Sequence, residues 1–136
     1  MLQSITETMD FSVAYEIKKD YLLVKVIGEF DYSKAHENFL KWIEQANKFA
    51  LNRVLCDITL VKGLDTKQPT MNLFTISEYV ANSMPKNFSL AILETSQQME
   101  SCEFGENVIV NRGGRVKATS NLYEALEWLS VNPLQP

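Results

Sequence analysis

The run from Arg53 to Leu60 limits what this chain can fold into more than any other stretch. Val54, Leu55, Cys56, Ile58 and Leu60 are interrupted only by Asp57 and Thr59, so apolar side chains fall on both sides of a two-residue repeat. Such a strand must be covered on both faces, which places it in mid-sheet with helices packed against it.

The flanking segments supply the partners for that strand. Val13 to Lys18 alternates Val13, Tyr15 and Ile17 against Ala14, Glu16 and Lys18, the signature of a half-buried strand. Lys19 and Asp20 form a short polar break. Tyr21 to Ile27 then resumes the apolar pattern up to Gly28, so the two runs are expected to pair as a hairpin. Met1 to Asp10 reads as a polar lead.

Helical spacing follows. After Asp31 or Ser33, either of which can cap a helix, Ala35, Phe39, Trp42, Ile43, Ala46, Phe49 and Ala50 recur at steps of three and four. Val61 to Pro69 holds turn and capping residues and leads into a helix bearing Leu73, Ile76 and Val80, which Pro85 ends. Phe88 to Leu93 reads as a strand, Glu103 to Val110 as a helix, and Arg115 to Thr119 as a short last strand after Gly113 and Gly114. Gly113 suits a left-handed helix cap. Asn121 with Glu124 three residues on opens a final helix carrying Leu122, Ala125, Leu126 and Leu129.

The order ββαβαβαβα implies an α/β fold: an N-terminal hairpin, then βα repeats with right-handed crossovers, forming a mixed, mostly parallel sheet flanked by helices. At 136 residues, 46% of them apolar, the chain fills one core, and a single domain over 1–136 with its core at about 11–130 is expected.

Charge and composition exclude several classes of function. The 13 basic and 17 acidic residues are scattered and give a net charge of −4, which argues against nucleic acid as a partner. No run reaches the roughly 18 apolar residues of a membrane span, and Met1 to Asp10 lacks a signal peptide's basic flank and apolar stretch. Membrane insertion is not expected, and a cytoplasmic location is. Cys56 and Cys102 have no neighbouring Cys or His at metal-ligand spacing, so two free thiols and no metal site are expected.

Catalytic motifs are equally scarce. The single histidine, His36, has no Ser, Cys or Asp arranged around it in a triad pattern. Phosphate-cradling glycine loops, nucleophile elbows and zinc-binding helices all lack their parts. The chain is therefore expected to be no enzyme, with no catalytic residue and no cofactor. Asp57 must meet a backbone donor, a basic side chain or water at the strand's carboxyl end, because an unpaired buried charge is unfavourable. Arg112 and Arg115, around two glycines, can form an anion-binding corner, or simply a helix-to-strand turn with solvated arginines. A hydroxyl at a helix start, such as Thr66 or Thr70, can act as a cap or accept a phosphate that the helix dipole would favour.

Taken together, Tyr21 to Glu29, Arg53 to Asp57, Asn111 to Gly113, and Leu122 to Leu129 with Ala125 and Trp128 resemble the SpoIIAA-like branch of the STAS domains, also described as STAS/SEC14-like. The resemblance covers roughly residues 11–129. It implies a small sheet flanked by helices that acts through protein contacts, as anti-sigma factor antagonists do, with a phosphorylatable Ser or Thr at the start of the helix after the third strand. The nearest match to that phosphoacceptor region is Asp65 and Thr66. Lys67 and Gln68 follow where the family has Ser and Gly, which weighs against a kinase-controlled switch. Thr119 stands where the family places an aromatic.

Two functions fit this pattern. The first is a regulatory, protein-binding module, with another protein or a second copy of the chain as partner. It predicts an exposed apolar patch around Met71, Phe74 or Met84. The alternative, drawn from the SEC14-like kinship and the aromatic residues of Phe39 to Phe49 and Phe74 to Tyr79, is a small-ligand or lipid carrier. It predicts a closed apolar pocket.

Overall fold

A computed structural model describes residues 2–8, 11–64 and 69–131. Its elements run β1 (Leu2–Thr8), β2 (Phe11–Ile17), β3 (Leu22–Glu29), α1 (Tyr32–Lys48), β4 (Arg53–Lys62), α2 (Thr70–Ser83), β5 (Ser89–Leu93), α3 (Met99–Asn111), β6 (Val116–Thr119) and α4 (Leu122–Trp128). The α/β class and the mostly parallel sheet agree with the sequence. One strand was not expected: Leu2–Thr8, read above as a polar lead, pairs antiparallel with β2 in a register that sets Ile5 against Ala14.

The six strands lie in the order β1-β2-β3-β4-β5-β6. The first two pairings are antiparallel and the remaining three parallel. Because the parallel strands always advance in one direction, right-handed crossovers must set all three connecting helices on one face of the sheet. The packing follows that rule. Phe39, Ile43 and Ala46 of α1, Val80 of α2, and Cys102 and Ile109 of α3 pack on Val24, Val54, Cys56 and Leu90. Among the described helices only α4, which follows the last strand, reaches the other face, where Ala125, Leu126 and Leu129 cover Leu55 and Ala91. As expected, β4 sits mid-sheet and is buried on both sides over Val54 to Cys56.

Local signals explain the helix ends. Asp31 caps α1, its carboxylate accepting from the Ser33 amide at 3.0 Å and the Ser33 hydroxyl at 2.7 Å. The helix stops at Lys48, short of the apolar stripe's last members, because Ala50 turns left-handed at φ 56°. Phe49 is left exposed. Gly113 takes the left-handed cap at φ 88°. At Gly114 a Cβ would lie 2.5 Å from Ile109 Cγ2, so the turn into β6 needs glycine for space. Asn121 accepts from the Glu124 amide at 3.0 Å, but the reciprocal half of the capping box goes elsewhere: the Asn121 amide donates to Thr119 Oγ1 at 3.2 Å.

Candidate functional site

Two features of this architecture can bind something: the end of β4, and the space beneath the three-helix layer. At the first, β4 bulges. Lys25 pairs with Asp57, yet Ile27 pairs with Leu60, so one extra residue is accommodated on β4. Asp57 stabilises the irregularity locally, its Oδ1 accepting from the Thr59 amide at 2.9 Å and the Thr59 hydroxyl at 2.7 Å. The donor that the sequence demanded for Asp57 is thus two residues along the same strand.

Gln98 ties the bulge to the start of α3. Its Nε2 donates to the carbonyls of Ile58 (2.8 Å) and Val61 (3.0 Å), while its Oε1 accepts from the Thr95 amide at 2.9 Å. The amide is 4% exposed, and its three bonds hold both ends of a segment that would otherwise carry unpaired carbonyls. Beyond Lys62, Gly63 turns at φ 85° and the chain proceeds towards α2. Asp65 and Thr66 lie outside the described residues.

The second feature is a cavity of about 170 Å³ between the sheet and α1, α2 and α3. Val26, Cys56, Ile58 and Leu90 form its floor, and Phe39, Trp42, Ile76 and Val80 its walls. The space is almost wholly apolar and opens in part to solvent. Its polar neighbours are committed elsewhere. Asn38 Nδ2 donates to the Lys34 carbonyl at 2.9 Å, Ser77 Oγ to the Leu73 carbonyl at 2.7 Å, and Glu106 Oε1 accepts from the Ala118 amide at 2.6 Å. The Trp42 indole N–H is buried without a hydrogen-bond partner.

Both thiols belong to this cavity wall. Burial pushes the Cys56 thiol well above its ordinary value, and the nearby Asp57 and Cys102 add to the effect. Burial likewise raises Cys102, with Glu94 as a further cause. Behind Cys102 lies Glu94, 5% exposed, with Oε1 lacking a hydrogen-bond partner. Burial raises its carboxyl pKa, a hydrogen bond from Cys102 opposes that, and Glu106 and Glu103 add to the rise.

Arg112 and Arg115 are drawn to different elements. Arg112 Nη2 pairs with Glu78 Oε2 of α2 at 2.9 Å, its guanidinium 5.3 Å from the Phe74 ring centroid. Arg115 Nε donates to Ser89 Oγ at 3.0 Å, and its guanidinium lies 5.6 Å from the Trp128 ring centroid. His36 sits against Tyr79 with ring centroids 4.5 Å apart. Of the anticipated patch, Met71 is exposed, but Phe74 is half-buried beneath Arg112 and Met84 packs on the core. A different apolar pair is exposed instead: Ile27 at 45% and Leu60 at 62%, register neighbours on the face that α4 leaves open. No periodicity singles out Gln98 or this pair, because both depend on the bulge.

Among the described residues no cluster of three metal-ligating side chains occurs, and no helix is long and apolar enough to cross a membrane.

Comparison with known proteins gives a fold. No protein-family model and no curated protein matches the sequence. A solved anti-sigma factor antagonist from Mycobacterium paratuberculosis superposes with a TM-score of 0.59 at 13% identity, covering 88% of this chain and 94% of its own. An uncharacterised protein with a SpoIIAA-like fold from Shewanella loihica PV-4 superposes at 0.54 with 21% identity, covering 93% and 99%. The chain has a STAS/SpoIIAA-like fold, as its sequence resemblance implied.

Proposed function

We propose that this chain is a non-enzymatic regulatory module that works in the cytoplasm by binding another protein, as the name of the Mycobacterium paratuberculosis protein implies for that relative in fold. The observation that carries the reading is the open sheet face, where Ile27 and Leu60 stand exposed beside the end of β4 that Gln98 holds in place. Paired apolar side chains on an otherwise solvated sheet face gain by docking. Lys25 and Asp57, paired in register next to them, supply a polar rim.

A photo-crosslinking side chain at position 60 tests this. It should capture one protein species in cells, whereas the same group at Lys41, exposed on α1, should not. Leu60→Asp should then abolish binding of the captured protein while leaving the fold intact. Equal capture from both positions would remove the open face from the reading. Light scattering on the purified chain distinguishes a second copy from a different partner. In this reading binding does not depend on phosphorylation, since Asp65 and Thr66 keep the acid and hydroxyl of the family pattern without its Ser and Gly. Intact-mass comparison with Thr66→Ala, from native cells, tests that point.

The cavity favours a second reading, a carrier of a small ligand. An apolar space of about 170 Å³ beneath three helices is the kind of concave site that small molecules occupy.

A further inference from the structure

Resting on the reading of the open sheet face as a docking surface, we propose that its occupant is a second copy of this chain, packed face to face about a two-fold axis. The pattern of charge carries the inference. Val26 of β3 and Ile58 and Val61 of β4 belong to the helix-roofed core, so Lys25, Ile27 and Glu29, together with Asp57, Leu60 and Lys62, fall on the opposite face. The register sets them in three rows: Lys25 beside Asp57, Ile27 beside Leu60, and Glu29 beside Lys62. Asp57 is half-buried and the other five are exposed. The bulge makes the middle row apolar, because the extra residue brings Leu60, and not Thr59, opposite Ile27.

Each charged corner of this patch is therefore opposite in sign to its neighbour across the strands and to the corner at the other end of its own strand. A half-turn about an axis lying in the plane of the face exchanges such neighbours. With the axis along the strands, Glu29 of one copy meets Lys62 of the other, and Lys25 meets Asp57. With the axis across them, Glu29 meets Lys25, and Lys62 meets Asp57. In both arrangements every charge finds an opposite one and the apolar pair closes on its own copy. Isologous contacts require this self-complementarity, and both axes keep the strands of the two sheets near alignment, a favoured way for sheets to pack. A partner of a single charge sign would meet as many like charges here as opposite ones.

The β2 side leaves room for the approach. Val13 and Tyr15 belong to the core, so Ser12 and Ala14, in register with Ile27 and Lys25, set only short side chains beside the patch. None of the ion pairs among the described residues engages Lys25, Glu29 or Lys62, so their charges are available to a partner. Six side chains are few beside the roughly 20 to 30 per partner of a standard interface, so the dimer should dissociate on dilution.

Sedimentation of the full chain at increasing concentration and low salt tests this. The unaltered chain should pass from monomer to dimer. Glu29→Lys, Lys62→Glu and Lys25→Glu each bring like charges together at two symmetric points and should weaken association about tenfold or more, with amide NMR spectra showing the fold retained. Lys41→Glu, a charge reversal at an exposed site on α1, should leave association unchanged. An equal mixture of Glu29→Lys and Lys62→Glu chains should restore a mixed dimer when the axis runs along the strands, and one of Glu29→Lys and Lys25→Glu when it runs across them.

Unchanged affinity in all three variants, or failure of both mixtures to associate, would overturn the face-to-face pairing. A chain that stays monomeric while a crosslinker at position 60 captures a different protein would overturn the second copy as occupant and leave the docking surface standing. A monomer with no more capture at position 60 than at Lys41 would overturn both.

Discussion

Cys56 and Leu55 are adjacent in β4 and equally buried, yet they face differently built surroundings. Cys56 belongs to a large cluster roofed by three helices, whereas Leu55 belongs to a small one covered by α4 and the residues just after it, up to Val131. The asymmetry follows from strand order, since crossovers that always advance the same way deliver every connecting helix to one side. The helix-roofed face carries most of the apolar burial and encloses the cavity. The other face keeps exposed apolar residues at Ile27 and Leu60. Coverage and availability are thus divided between the two sides of a single sheet.

The largest effect should come from breaking the roofed side. Phe39 is 1% exposed and packs edge-on against Trp42 and Phe88, so Phe39→Ala should destabilise the fold by about 3 to 5 kcal/mol, measured by urea denaturation. Next is Gln98→Ala, which strips partners from two carbonyls and an amide near the bulge. A loss of about 2 kcal/mol is expected, with amide exchange accelerating around residues 58–64 more than in α4.

On the thinly covered side, Asn121→Ala removes the cap of α4 and should lower stability by about 1 kcal/mol, loosening Leu55 and Ala91 before Cys56. Glu94, beside Cys102 just after β5, adds a pH dependence. Its folded pKa is raised above the ordinary 4.5, chiefly by burial, so the folded state holds a proton that the unfolded chain has released. Stability is fully present below that ordinary value and declines as pH rises through the folded value. Glu94→Gln should flatten this slope, as read from unfolding curves at a series of pH values. The smallest effect belongs to Leu60→Ser, within about 0.5 kcal/mol of the parent, even though the same position should govern partner binding.

Much of this arrangement is legible in the sequence because strands and helices each impose a period. The alternation of Val13 and Tyr15, the two-sided apolar run of β4, the Asp31 and Asn121 caps and the Gly113 turn all appear where local chemistry demands them. The strand at Leu2–Thr8 escaped because polar residues such as Gln3, Ser4, Thr6 and Glu7 give no clear alternation, and its pairing is decided by β2. Helix α3 begins at Met99, four residues ahead of the start read from the sequence at Glu103, since Gln98 to Ser101 announce nothing by composition. The cavity is a property of three facing surfaces, not of any period. Phe39 and Trp42 do line it, but Phe49 is exposed, and neither Phe74 nor Tyr79 lines it. Aromatic content therefore pointed to the right region through only some of the right residues.

The uninterrupted strand order also bears on how the protein is made. Every strand's hydrogen-bonded neighbour is the one synthesised just before it, so the sheet can grow one strand at a time as the chain emerges, without waiting for distant partners. The exception is the cover of the second face. Until α4 has been translated, Leu55 and Ala91 lie open to water on a nearly finished sheet.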